Sequence, residues 1–130
     1  MKDHFDRATE LTFLVLGDIM LDEYIYGTID RVSSEAPVSI VDQRSTMGVL
    51  GGAANVAANL SALGASVILM GLLGQDEQGQ KIIDLLSDDD SITDKTITID
   101  RQTTTKSRII VQNKQVLRID KEVTSAIPSA

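Results

Sequence analysis

Three short stretches carry residue types that could do chemistry. In Gly51-Gly-Ala-Ala-Asn-Val-Ala57, two glycines stand directly before an alanine-rich run. Glycines in that place let backbone and ligand approach closely, and the free N–H groups of a first helical turn favour anions or hydroxyl oxygens. Asn55, in the same turn, offers both a donor and an acceptor, which suits a polyhydroxylated ligand. The same small residues would also let a helix pack tightly on a sheet, and the local pattern does not separate the two readings.

The second stretch is Gly17-Asp18-Ile-Met-Leu-Asp22, directly after an apolar run. It falls at the carboxyl end of an expected strand, where open α/β sheets bind ligands. Two carboxylates four residues apart could grip sugar hydroxyls or a metal there. Asp18 reads better as a turn-shaping residue, whereas Asp22 follows two apolar residues and is expected at a pocket mouth. In the third stretch, Thr105-Lys-Ser-Arg108, alternation puts Lys106 and Arg108 on one strand face, where they could receive a phosphate. Arg118-Ile-Asp120 lies on the same expected hairpin. A solvated strand face is the plainer reading of both. Asp88-Asp-Asp90 lacks the spacing and glycine of a calcium loop and reads as an exposed turn. His4, the sole histidine, sits in a polar N-terminal stretch and reads as an exposed terminal residue. No G-x-x-x-x-G-K-[ST] or G-x-G-x-x-G stretch occurs, which disfavours a P-loop NTPase and a dinucleotide-binding dehydrogenase.

The elements that must position these residues follow from the hydrophobic pattern. Residues 11–16 form a short apolar run ending at Gly17, the mark of a central buried strand. Residues 23–32 and 38–44 read as half-exposed strands, with a loop before Gly51. A helix is expected over 53–63, closed by Gly64, then a second buried strand over 66–73. Strand, helix and strand in that order predict a partly parallel sheet covered by helices. A second helix is expected over about 77–86, with Ile82, Ile83, Leu85 and Leu86 on its apolar stripe. Strands are expected over 96–99, 105–111 and 116–120, the last two forming a hairpin that turns at 112–115.

Composition sets the outer bounds. The chain has 130 residues, the size of one compact domain, with 42% apolar and 24% charged residues. Its four aromatic residues, Phe5, Phe13, Tyr24 and Tyr26, imply an aliphatic core and give no base-stacking platform. The formal charge of −7 repels phosphate backbones and anionic membranes, so neither nucleic acid nor a membrane surface is expected as partner. The absence of cysteine removes disulfides and thiolate chemistry and suits a cytoplasmic protein. The polar N-terminus and the short first apolar run give no expectation of a secretory signal, and no apolar run reaches the length of a membrane-spanning helix.

Taken together, Gly51-Gly-Ala-Ala-Asn-Val-Ala-Ala-Asn-Leu-Ser-Ala-Leu-Gly64, the strand to Gly74, Asp76 and Gly79 closely resemble the first signature of the ribokinase-like (PfkB) carbohydrate kinases. Gly17-Asp-Ile-Met-Leu-Asp22, Tyr24-Ile-Tyr-Gly27, Arg31-Val-Ser-Ser-Glu-Ala-Pro-Val38 and Thr105-Lys-Ser-Arg108 look most like the D-glycero-D-manno-heptose 7-phosphate kinases of ADP-heptose synthesis. The resemblance runs from about residue 11 to about residue 122.

It implies an α/β ribokinase-like sandwich with a small β lid over a sugar pocket, the lid strands at about 24–44 and 97–120. It also implies phosphoryl transfer from ATP with Mg²⁺ to the anomeric hydroxyl of the heptose 7-phosphate, a step toward the lipopolysaccharide core. Asp22, Gly51, Gly52 and Asn55 match the family's sugar-binding residues, and Lys106 and Arg108 are inferred partners of the 7-phosphate. Such lids often mediate homodimers. Ser34 stands where the heptose kinases usually have proline, and Val49-Leu50 precede the glycine pair in place of a more polar entry, so another sugar kinase of the same fold is the alternative. Family members are considerably longer, and their downstream Gly-Ala-Gly-Asp motif, whose aspartate is the catalytic base, does not occur here. Residues 1–130 are therefore expected to be the N-terminal, sugar-binding part of such a kinase, close to inactive alone. A non-catalytic sugar-phosphate binding or lid-dimer module is the remaining alternative.

Overall fold

The computed structural model describes residues 8–126; His4 and Phe5 lie outside them. After a 3₁₀ turn at Ala8–Glu10 come β1 (Thr12–Leu16), β2 (Ile19–Val32), β3 (Ser39–Gly52), α1 (Ala53–Ala62), β4 (Ser66–Met70), β5 (Leu72–Gly74), α2 (Glu77–Ser87), β6 (Ile92–Asp94), β7 (Ile97–Ile99), β8 (Thr105–Val111) and β9 (Lys114–Lys121). Strands β1, β4 and β6 form a parallel sheet in the order β1-β4-β6, and β5 pairs with β7, also in parallel. The remaining sheet is mixed, in the order β3-β2-β8-β9: β2 is antiparallel to β3 and parallel to β8, and β8 is antiparallel to β9. The architecture is mixed α/β, as the alternating sequence pattern predicts.

Local chemistry fixes the ends of both helices. Strand β3 turns into α1 at Gly52, where φ is 58° and an added Cβ would lie 2.3 Å from the Asp18 carbonyl oxygen. Only glycine fits such a place. Helix α1 ends at Gly64, φ 91°, whose N–H donates to the Ser61 carbonyl while the Ala65 N–H donates to that of Leu60. These two bonds make a Schellman stop. At the start of α2 the Asp76 side chain accepts from the Gly79 N–H at 2.8 Å. Both helices turn small or aliphatic faces inward. Ala54 and Ala57 of α1 and Ile82 and Leu86 of α2 pack with Leu21, Val67, Leu69 and Leu73 into one aliphatic core.

Five expectations change. Strand β1 is not enclosed on both faces: Val15 packs against the core and Phe13 is half-buried, but Leu14 and Leu16 are 63% and 73% exposed. Both helices lie on one side of the parallel sheet, and no described element covers the other. The apolar run 66–73 is two strands, broken at Gly71, where an added Cβ would sit 2.6 Å from the Gly17 carbonyl oxygen and from Ile19 Cδ1. The expected loop before Gly51 is strand: β3 pairs with β2 from Val32↔Ser39 to Ile19↔Gly52. Its small residues suggested a loop, yet Gly48 gives room to the buried Leu21, whose Cδ1 would lie 3.3 Å from an added Cβ. The hairpin turn is tighter than the expected 112–115. Gln112 and Asn113 alone form it, both at positive φ, with Val111 opposite Lys114.

Of the range 97–120, Ile97–Ile99 pairs with β5 rather than joining the four-stranded sheet. Among the described residues no helix is long and apolar enough to cross a membrane.

Candidate functional site

The mixed sheet gathers most of the chemically capable residues on one face. Its register sets Asp22 beside Val49 on β3 and beside Lys106 on β8, and sets Tyr24 beside Arg108. Across β8 and β9, Lys106 lies opposite Asp120 and Arg108 opposite Arg118. Residues paired in this way share a face, and the period-two pleat sends the intervening residues to the other side. Leu21, Thr105 and Ser107 are accordingly buried, with the Ser107 hydroxyl donating to Glu23 Oε2 at 2.8 Å.

On the polar face, Arg108 donates to Asp22 Oδ1 at 2.6 Å and to the Lys106 carbonyl at 3.2 Å, while its guanidinium carbon sits 5.4 Å from the centre of the Tyr24 ring. The bond to Asp22 raises the Arg108 pKa above its ordinary value, so the guanidinium is a permanent cation there. Gly51 is buried against the same carboxylate: a Cβ at residue 51 would lie 2.7 Å from Asp22 Oδ2 and 2.8 Å from Met20 Cγ. The carboxylate therefore rests on bare backbone on one side and on a guanidinium on the other. Nearby, Asp120 accepts from Lys106 Nζ at 3.2 Å and from Arg118 Nε at 2.8 Å. Burial pushes the Asp120 pKa up, but these two hydrogen bonds outweigh it and hold the group below the ordinary carboxylate value.

The structure thus brings Asp22, Gly51 and Arg108 into direct contact, with Lys106 as their neighbour. Gly52 stands one residue on, against the Asp18 backbone. The Asp18 backbone carbonyl accepts the Ala53 N–H at 2.8 Å. No side chain caps α1. Asn55 is exposed in the first turn, and its bonds are internal to the helix: Asn59 Nδ2 donates to its carbonyl at 2.9 Å and lies 3.4 Å from its Oδ1. The Asp88-Asp-Asp90 stretch is a turn in which Asp89 accepts from Ser61 Oγ and the Ser91 N–H.

A cavity of about 690 Å³ adjoins this face, lined among others by Gly17, Asp18, Met20, Gly71, Arg101 and Lys106. It lies at the carboxyl ends of β1 and β4, and Arg101 reaches across it to the Val123 carbonyl. Lys106 belongs both to the cavity wall and to the charged face, whereas the carboxylate residues lining the cavity are Asp18 and Glu122 rather than Asp22.

Sequence reasoning gave no role to the clasp that sets where β8 begins. The Asp76 carboxylate accepts the Gly79 N–H, the Thr103 N–H at 2.8 Å and the Thr103 hydroxyl at 2.6 Å, and Thr103 Oγ in turn accepts the Gly74 N–H. Burial raises the Asp76 pKa, and the bonds from Thr103 and Gly79 more than reverse it. Gly74 and Gly79 leave room for the crossing chain, since a Cβ on either would come within 2.2 Å of a backbone oxygen. The readable half of this signal was Asp76 followed three residues later by Gly79 ahead of an apolar stripe; Thr103 lies 27 residues away and carries no local mark.

Comparison with known proteins finds a match to the model of the pfkB family carbohydrate kinases over residues 12–127. "Bifunctional protein HldE" of Sulfurimonas denitrificans is 46% identical over 110 residues, covering 84% of this chain and 23% of that protein. A "D-beta-D-heptose 7-phosphate kinase" of Bordetella bronchiseptica is 43% identical over 117 residues, covering 90% of this chain and 37% of that protein. Among solved structures, a carbohydrate kinase from Agrobacterium tumefaciens superposes with a TM-score of 0.64 at 26% identity, covering 85% of this chain and 35% of that one. The chain thus spans between about a quarter and somewhat over a third of the length of these proteins.

Proposed function

The chain belongs to the pfkB family of carbohydrate kinases, and on that premise we propose that it forms the sugar-binding part of a heptose 7-phosphate kinase. The reaction of the whole protein is transfer of the γ-phosphoryl group of ATP to the anomeric hydroxyl of D-glycero-D-manno-heptose 7-phosphate, in the cytoplasm, toward ADP-heptose and the lipopolysaccharide core. The observation that carries the reading is the Asp22 carboxylate held between Arg108 at 2.6 Å and the bare backbone of Gly51. In such a place a carboxylate accepts hydrogen bonds from sugar hydroxyls, with its second oxygen on the glycine side, while the neighbouring cations receive a phosphate.

In this reading Asp22, Gly51, Gly52 and Asn55 surround the sugar, and Lys106 and Arg108 take the 7-phosphate. Phosphoryl transfer depends mainly on positioning and electrostatic stabilisation, and this chain's share of that work is to fix the acceptor. No residue here is assigned as general base. Mg²⁺ enters as the companion of ATP, where it would screen phosphate charge. Among the described residues no group of three or more acidic or histidine side chains is placed to hold a metal ion. The β3-β2-β8-β9 sheet acts as the lid, and its exposed Leu117 and Ile119 on β9 offer a second copy an apolar surface for a lid dimer.

Calorimetry of the 130-residue chain with heptose 7-phosphate tests the reading. A Kd of about 1 mM or tighter, weakened at least about tenfold by Asp22→Ala through loss of charged hydrogen bonds, supports it. Absence of binding, or equal binding by the variant, overturns it.

A further inference from the structure

The β8–β9 ladder sets Arg108 directly opposite Arg118. Like charges opposed across a strand pair destabilise it, and here each arginine leans away to its own carboxylate, Arg108 to Asp22 and Arg118 to Asp120. Asp120 also holds Lys106. One sheet face thus carries three cations against two carboxylates, in a chain whose formal charge is −7. Packing does not call for this arrangement, because the core side of β8 is occupied by Thr105 and Ser107, and Arg118 and Asp120 both lie at the surface. Exposed pairs of this kind contribute little to stability and are readily exchanged for another partner.

We propose that Lys106, Arg108 and Arg118 together form a subsite for the phosphate group of a sugar phosphate, and that Asp120 is its internal counter-ion, displaced when the phosphate arrives. The inference rests on the sugar-phosphate reading above and adds Arg118 and Asp120 to it. The charges favour the exchange: a dianionic phosphate together with Asp22 balances the three cations once Asp120 turns to solvent. Arg118 already presents Nε to a carboxylate oxygen at 2.8 Å, and a guanidinium carries the further N–H donors needed to take phosphate oxygens in pairs. A sugar without the phosphate brings no charge able to replace Asp120, so the device selects for the phosphorylated ligand.

The test is calorimetry of the full 130-residue chain, wild type and variants, with heptose 7-phosphate and with unphosphorylated heptose. Arg118→Gln is expected to weaken heptose 7-phosphate binding about tenfold or more, the scale of a lost charge-assisted hydrogen bond, and to leave heptose affinity unchanged. Arg118→Lys should recover part of the loss. Asp120→Asn is expected to tighten heptose 7-phosphate binding several-fold, with no effect on heptose. Both residues are exposed, and thermal melting verifies that each variant folds. Wild-type affinity in Arg118→Gln overturns the subsite, and unchanged or weaker affinity in Asp120→Asn overturns the counter-ion role, in each case while wild-type binding leaves the sugar-phosphate reading standing. If wild type binds neither compound, that reading falls, and this inference falls with it.

Discussion

Asp22 has a guanidinium on one side and the Cα of a glycine on the other, and each neighbour makes a separable demand. An added methyl at residue 51 would lie 2.7 Å from Asp22 Oδ2, so Gly51→Ala must push the carboxylate or Met20 aside. The expected result is a folded chain destabilised by about 1–3 kcal/mol, with weaker sugar-phosphate binding; urea unfolding and calorimetry measure the two effects. Gly52→Ala should be worse. It combines a left-handed φ of 58° with a Cβ 2.3 Å from a backbone oxygen that no rotamer change can move. Its urea midpoint is expected to fall below that of Gly51→Ala, and equal midpoints would show that the strand-to-helix turn can rearrange.

At the scale of elements, β8 delivers Lys106 and Arg108 to the face of β2, and the Asp76–Thr103 clasp fixes where β8 starts. The folded-state pKa of Asp76 is depressed, so the clasp contributes stability above the ordinary aspartate value of 3.8 and loses it as pH falls through the lower folded value. Asp120 is shifted in the same direction. The wild-type melting temperature should therefore drop as pH is lowered below about 4, and Asp76→Asn, which is less stable at neutral pH, should show a shallower drop. Parallel curves for the two proteins would show that Asp76 contributes nothing to acid sensitivity. Thr103→Val removes the hydroxyl that both gives and receives a bond, and is expected to cost about 1–3 kcal/mol in urea unfolding.

The elements also show where sequence legibility stops. Helix α1 and its glycine stop were readable because Gly64 follows an alanine-rich run, and α2 because Ile82 and Leu86 fall on one stripe. Placing Lys106 and Arg108 on one face needed only the period of two. What could not be read were facts of pairing over distance. The stretch before Gly51 looks like loop until Leu21 is known to need the room that Gly48 leaves. Strand β6 is three residues long and follows an acidic turn, so Ile92 carries no periodic signal. The partner of Arg108, at Asp22, depends on β2 and β8 running parallel although the two residues lie 86 positions apart.

At the scale of the molecule, one face of the parallel sheet stands open. Leu14 and Leu16 of β1 are mostly exposed, and Met70 of β4 lies beside Leu16 in the register. A contiguous apolar surface of this kind promotes association. Leu14→Lys combined with Leu16→Lys is expected to raise the monomer fraction of the 130-residue chain in size-exclusion chromatography and to reduce its binding of a hydrophobic dye, with little loss of stability. An unchanged elution profile and dye signal would place association elsewhere.

The central claim is that the polar face of the β3-β2-β8-β9 sheet recognises a sugar phosphate. Amide chemical-shift mapping of the labelled chain during titration with heptose 7-phosphate tests it most directly. The account predicts the largest shifts at Asp22, Gly51, Gly52, Lys106 and Arg108, and their loss in Asp22→Ala. Shifts confined to residues away from this face, or unaltered by that substitution, would contradict it.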